Sequence, residues 1–332
     1  MSDWLNQDAV ADKLTRKAGE IFQERIEDPY RERMKALWKV ALADMKAHLA
    51  GLLHQASRLS ADGKRKAAPG RAIAMALQPR MEDYVHHRIE RFTQDAIDLV
   101  YAGRMNAHRL QRQLTSWVLD QTTPPNLRVR PRLPDHFREA YTTDPVTGEL
   151  VEDKPTPAQR TSAWTRAWEL GAIATLGMVL NRGGDPDEAG ARVDGVKADG
   201  YDLGAAMDRV ISGEVNIAAG DGVGRVDDEW DNVIDKWTWL TLYGTGRLDS
   251  VVCEWCEERN GEEMTDALWA EYEERHPFCR CQPKVQPKDF QALAGAVGHP
   301  DADPRDMVIV DPATGKPIGS VVVEFAQWLG GE

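Results

Sequence analysis

The sequence has no long apolar run. Its longest, near Leu170–Leu180, is about half of what a membrane-spanning helix needs, so no span is expected. Residues 1–20 have no positive start followed by an apolar stretch, so no secretory leader is expected either. Cysteine is scarce, with four in 332 residues, all between Cys253 and Cys281. In the reducing compartment these features predict, clustered thiols point to metal or redox chemistry rather than structural disulfides. Positive charge is scarce in the second half. Residues 1–150 hold 24 Lys and Arg against 20 Asp and Glu, leaving 17 against 34 for the rest of a chain of net charge −13. Such a second half is a poor grip for nucleic acid, which is held by neutralising phosphates. The mildly basic first half, with "GKRKAAPGR" (63–71) and "RVRPR" (128–132), leaves DNA contact open there. Catalytic signatures are also missing: no H-E-x-x-H, no H-x-E with P-C-x-x-C, no G-x-S-x-G and no Walker sequence. "YGTGR" (243–247) lacks the preceding strand and third glycine of a dinucleotide loop.

Hydrophobic content of 42% and charged content of 29% fit a folded chain, long enough for two domains or more. Apolar residues recur at helical steps in Leu37, Ala41, Met45, Leu49 and Leu52, and in Met81, Tyr84, Val85, Ile89, Phe92, Ala96 and Leu99. This spacing predicts long helices with one buried face, broken over 60–70 by "SADGKRKAAPG". A shorter helix is expected over Asn106–Leu119. Residues 121–155, rich in Pro, Thr and charge, read as a linker; "DPVTGE" (144–149) and "DPATGK" (311–316) read as turns. Further helices are expected from Thr156, with Pro157 at its first position, to Leu180, over Asp202–Ala218, and over Val226–Leu242. In the last, Trp230, Ile234, Trp237 and Leu240 share a side. "MVIVDPATGKPIGSVVVEF" (307–325) reads as a β-hairpin. The fold class expected is mainly α. Long N-terminal helices (1–120, a domain or an arm) and the linker (121–155) precede an α+β metal-stapled module (156–290) and a hairpin tail (291–332).

The cysteines form C-x2-C (Cys253, Cys256) and, after 22 residues, C-x-C (Cys279, Cys281), with His276 three residues before Cys279. Each pair can present two soft thiolates to one ion: a tight turn does so in C-x2-C, and an extended backbone in C-x-C, with Arg280 pointing away. The expected occupant is structural Zn2+. Its ligands are Cys253, Cys256, Cys279 and Cys281, or alternatively Cys253, Cys256, His276 and Cys279. Two disulfides and four unrelated buried thiols are the competing readings. Four thiolates would close the site to water, so no catalytic residue is expected. Glu262, Glu263, Glu271, Glu273 and Glu274 read as a solvated helix face and His86 and His87 as surface residues.

"DKWTWLTLYGTGRLDSVVCEWCEERNGE" followed by "HPFCRC" resembles the C-terminal signature of the phage head morphogenesis family, the Mu F-like minor capsid proteins. The matching residues are Lys236, Trp237, Asp249, Cys253, Cys256, Gly261, His276, Pro277, Cys279, Arg280, Cys281 and Pro283. The likeness covers roughly 156–287; the Cys-Arg-Cys end is its specific part. The resemblance implies a structural virion protein acting in head assembly near the portal, inside the capsid and, during assembly, in the host cytoplasm. Portal or major capsid protein would be its partner. It implies no catalytic residues. The alternatives are a zinc-dependent enzyme acting on nucleic acid or peptide, and a virion protein touching packaged DNA through its first half.

Overall fold

In the computed structural model of the chain the described residues are 7–58, 68–122, 155–198, 200–230, 233–241, 254–273, 279, 281–288, 308–310 and 317–320. The fold is mainly α, as the periodicity predicts. Helix α1 (Gln7–Phe22) runs through one π-turn (Gln23–Glu27) into α2 (Asp28–Arg58), and α3 (Arg71–Thr122) follows. Next come α4 (Pro157–Asn181), α5 (Pro186–Asp194) and α6 (Leu203–Trp230). Strand β1 (Ile234–Leu240), short helices α7 (Glu254–Glu258) and α8 (Asp266–Glu273), and strand β2 (Gln282–Pro287) come after. Strands β3 (Val308–Val310) and β4 (Pro317–Ser320) end the series. Among the described residues no helix is long and apolar enough to cross a membrane.

The chain groups into two compact units. One comprises Asp28–Gly103 and Glu139–Glu214; the other comprises Met1–Glu27, Arg104–Arg138 and Val215–Glu332. The first is helical. On α2 the buried positions include Met34, Trp38, Ala41, Met45, Leu49, Leu52 and Leu53; on α3 they include Met81, Val85, Ile89, Phe92, Ala96 and Val100. Both sets follow three- and four-residue steps, so each helix buries one stripe. Taking each large side chain out of water contributes about 1.5–3 kcal/mol. Trp38 sits at the centre, its ring 5.2 Å from Phe92 and edge-on to Trp168 at 4.8 Å. Helix α4 starts where its sequence says. Thr156 caps it in a reciprocal capping box with Gln159, and Pro157 takes the first turn, where its missing donor costs nothing. The stop at "NRGGDP" is a turn in which Gly184 has φ 73°, and a Cβ there would lie 2.7 Å from that of Ala74. Asp185 then caps α5 by accepting from the amides of Asp187 and Glu188. Arg31 forks onto Asp208 at 2.8 and 3.0 Å, and Arg160 meets the buried Glu214 at 2.5 Å.

The second unit mixes helix and sheet. Helix α1 buries Ala11, Leu14, Ala18 and Phe22 and packs on β2. Strand β2 pairs antiparallel with β1, Trp237 opposite Val285 and Leu240 opposite Gln282. The other edge of β1 is taken by residues 261–264, through Trp239 N–H to the Glu262 carbonyl (2.8 Å), Gly261 N–H to the Trp239 carbonyl (2.7 Å) and Met264 N–H to the Trp237 carbonyl (2.9 Å). Residues Arg104, His108, Gln111 and Thr115 of α3 are all buried, an unusual polar row at helical steps. Gln111 donates to Gln282 at 2.9 Å, and His108 lies 3.3 Å from Asp221. Where α3 meets α6, Gly222 is so close to the His108 carbonyl that a Cβ would stand 2.5 Å from its oxygen.

Two expected helices are corrected. Asn106–Leu119 is not separate but the last third of α3. Its apolar stripe continues through Ala107, Leu114 and Val118, and the buried polar row between them hides the periodicity. Val226–Leu242 is not a helix: α6 runs on to Trp230, and Ile234–Leu240 is β1. Ile234 and Trp237–Leu240 are all buried, a run that mimics the three- and four-residue step of a helix. A strand covered on both faces loses its alternation, and its β-branched and aromatic content is then the better guide. Helix α5 and strand β2 carry no expectation from the sequence. The hairpin is present as β3 and β4, with Val308 opposite Ser320. Its turn at 311–316 lies outside the described residues, as do the turn at 144–149, almost all of the 121–155 linker, and the basic clusters save residues 68–71.

Candidate metal centre

Sheet register builds the site. Because Leu240 faces Gln282, the next residue of one strand, Thr241, comes beside the preceding residue of the other, Cys281. The Cys281 sulfur is 3.8 Å from the Thr241 hydroxyl, which donates to the Cys256 carbonyl at 2.8 Å. That bond fixes α7 against the end of β1. The Asn260 side chain accepts from the Thr241 amide (2.9 Å), and Arg16 of α1 donates to the Thr241 carbonyl (3.2 Å). Tyr272 of α8 donates to the Cys281 carbonyl at 3.4 Å.

The sulfurs of Cys256, Cys279 and Cys281 converge within 4.8 Å of one another. All three side chains are buried, none more than 3% exposed, and all are free thiols. Cys256 and Cys279 stand 3.7 Å apart. A disulfide would need about 2.0 Å, whereas tetrahedral zinc with bonds of about 2.3 Å sets its sulfurs about 3.8 Å apart. Both sulfurs of the C-x-C pair lie in the cluster. Cys253 and His276, the remaining candidate ligands, lie outside the described residues, as does Arg280. The reading of four unrelated thiols does not hold for these three.

Electrostatics favours a cation. Hydrogen bonds from Cys256 and Cys279 hold the Cys281 thiol down to about 3 against its burial, with smaller help from Trp239 and Thr241 beside it. Cys256 is pushed the other way, first by its bond to Cys279, then by Cys281 and by burial. One thiolate shared among S–H donors is the most that so small an apolar space accepts without a counter-charge. A bound divalent ion would let all three ionise. The indole N–H of Trp239 is buried without a hydrogen-bond partner among the described residues, and it acts on Cys281 in the direction that favours a thiolate there. Donors of this kind orient metal-bound sulfur. The residues fit a metal ion.

Aromatic rings wall the site. Trp239 is edge-on to Trp255 at 5.5 Å and to Tyr272 at 5.3 Å, and Trp269 stands 5.8 Å from both Tyr272 and Trp237. The Arg259 guanidinium covers the Trp255 ring at 4.1 Å and bonds Glu271 at 2.6 Å. Glu263 reaches Lys236 at 3.8 Å. Glu271 and Glu263 are thus exposed partners of basic residues. Sequence reasoning misses Thr241, Trp239, Tyr272 and Arg16. The one signal for them is the aromatic density of "KWTWL" beside the cysteines, which the helical reading of that segment assigns to a generic core. Lys236 and Trp237 stand in β1, not in the helix expected over Val226–Leu242, and Gly261 takes φ 88° at the turn into the edge segment.

No family model, curated protein or solved structure matches the chain.

Proposed function

We propose that this is a structural head-assembly protein of a tailed phage or prophage, whose cysteine cluster binds one zinc ion as a structural clip. The observation carrying the reading is the convergence of Cys256, Cys279 and Cys281 in a buried site beside the Lys236–Trp237 strand. These are the elements through which the sequence resembles minor capsid proteins. In this reading Cys253 supplies the fourth ligand, with His276 the alternative. The ion holds together a sheet of two short strands and two short helices, too little to be stable alone, because its binding free energy becomes folding free energy. The burial of Cys256, Cys279 and Cys281 supports a structural over a hydrolytic role, and in this reading the protein is not an enzyme. Portal or major capsid protein is the partner, and the virion interior the destination.

Two measurements test this. Elemental analysis of the purified chain is expected to give one zinc per molecule, lost in Cys279→Ser. Co-expression with the portal and major capsid proteins of the same phage or prophage is expected to place the chain in purified particles. Particles that assemble normally without it, or without retaining it, would sink the assembly role.

A further inference from the structure

We propose that His86, His87 and Glu90 on α3 form a second metal site, of nitrogen and oxygen donors, for a late first-row divalent cation. The sequence "HHRIE" sets it up. Glu90 lies four residues after His86 and three after His87, the two spacings that stack side chains on a helix. The donor atoms of all three lie within 4.8 Å of one another, and all three residues are exposed. Exposed side chains can turn the remaining distance onto an ion bound at about 2.0–2.1 Å.

What separates this group from an ordinary surface cluster is Glu169 on α4. Its carboxylate is buried, its side chain only 6% exposed, yet it reaches the helix surface to meet His86 Nδ1 at 2.8 Å. Its second oxygen accepts from Arg166 at 2.9 Å. A neutral His86 donates Nδ1–H to that carboxylate. That tautomer keeps the Nε2 lone pair free for a metal, the arrangement that a carboxylate imposes on metal-binding histidines. Asp83, 4.0 Å from His87, adds negative charge. Glu169 is balanced by Arg166 and Arg88 by Asp44, which leaves the carboxylates of Asp83 and Glu90 beside Arg91, a net negative spot that attracts a cation. Two imidazoles and one carboxylate suit Zn2+, Ni2+ or Cu2+ over Mg2+ or Ca2+. Three ligands from the chain leave coordination positions open to water or to a donor from outside.

The test uses the full chain, first given one equivalent of zinc and then titrated with Ni2+ by calorimetry. One Ni2+ is expected per chain. His87→Gln, which touches neither Glu169 nor the core, is expected to weaken it at least tenfold, and His86→Gln with His87→Gln to abolish it. Glu169→Gln, checked for helix content by circular dichroism, is expected to weaken it about tenfold, as loss of a supporting carboxylate does. Nickel binding equal in wild type and the double histidine variant, or no saturable binding in wild type, overturns the site. So does a folded Glu169→Gln that binds as wild type does, because then Glu169 only pairs with a charged His86.

Discussion

The two units bury their interiors by different means. In the helical unit, α2 and α3 supply apolar stripes several turns long, and Trp38 packs between Phe92 and Trp168. Its charged pairs, Arg31 with Asp208 and Arg160 with Glu214, join well-separated segments and leave the apolar stripes intact. Beside α1 and the ends of α3 and α6, the other unit has strands of seven and six residues, helices of five and eight, and a polar row inside α3. It fills its space with tryptophans edge to edge and three sulfurs. A long amphipathic helix gains stability from many small increments, whereas a short-element unit relies on a few concentrated ones. Damage should therefore be graded in the first unit and abrupt in the second.

The largest expected effect is in the second. Cys256→Ser or Cys279→Ser, or chelation, should release the ion and unfold residues 233–288. This would read out as a red shift of tryptophan fluorescence and loss of amide protection there. Protection of α2 and the first half of α3 should persist. If both units melt together, the contrast between them fails. Next is Trp38→Ala, expected to cost about 3–5 kcal/mol in chemical denaturation with metal content unchanged. Gly222→Val should cost about 1–3 kcal/mol, because its new side chain must push α6 away from the His108 carbonyl. The smallest is Trp239→Phe, which keeps a ring but removes the N–H. Metal affinity in competition with a chelator should fall about tenfold, about 1.4 kcal/mol, with little change in helix content. A final titration sharpens the difference: protons compete with metal for thiolates, so lowering the pH should release the ion and loosen the second unit first.

The same contrast explains what the sequence discloses. Met45, Leu49, Ile89 and Phe92 announce their helices because each helix repeats one step for many turns. Thr156 and Pro157 announce a helix start because capping is local chemistry. The cysteine spacing announces a shared ion because both pairs are short. Thr241 and Trp239 stay silent: their roles come from register between strands some 40 residues apart, and no local pattern encodes that. The run Ile234–Leu240 misleads for the same reason, since burial on both faces is a tertiary fact. Arg104, His108, Gln111 and Thr115 mislead oppositely, their polarity suggesting a surface where there is an interior.

Arg16 donates to a carbonyl 225 residues further along the chain, and α1 rests on a strand later still. On a ribosome adding about 5–20 residues per second, Leu14, Ala18 and Phe22 would wait roughly 13–55 s before that strand exists to cover them. For that interval the first helix is a sticky surface, open to chaperones and to other nascent chains. Slow translation should therefore lower the yield of intact protein more than its final stability would indicate.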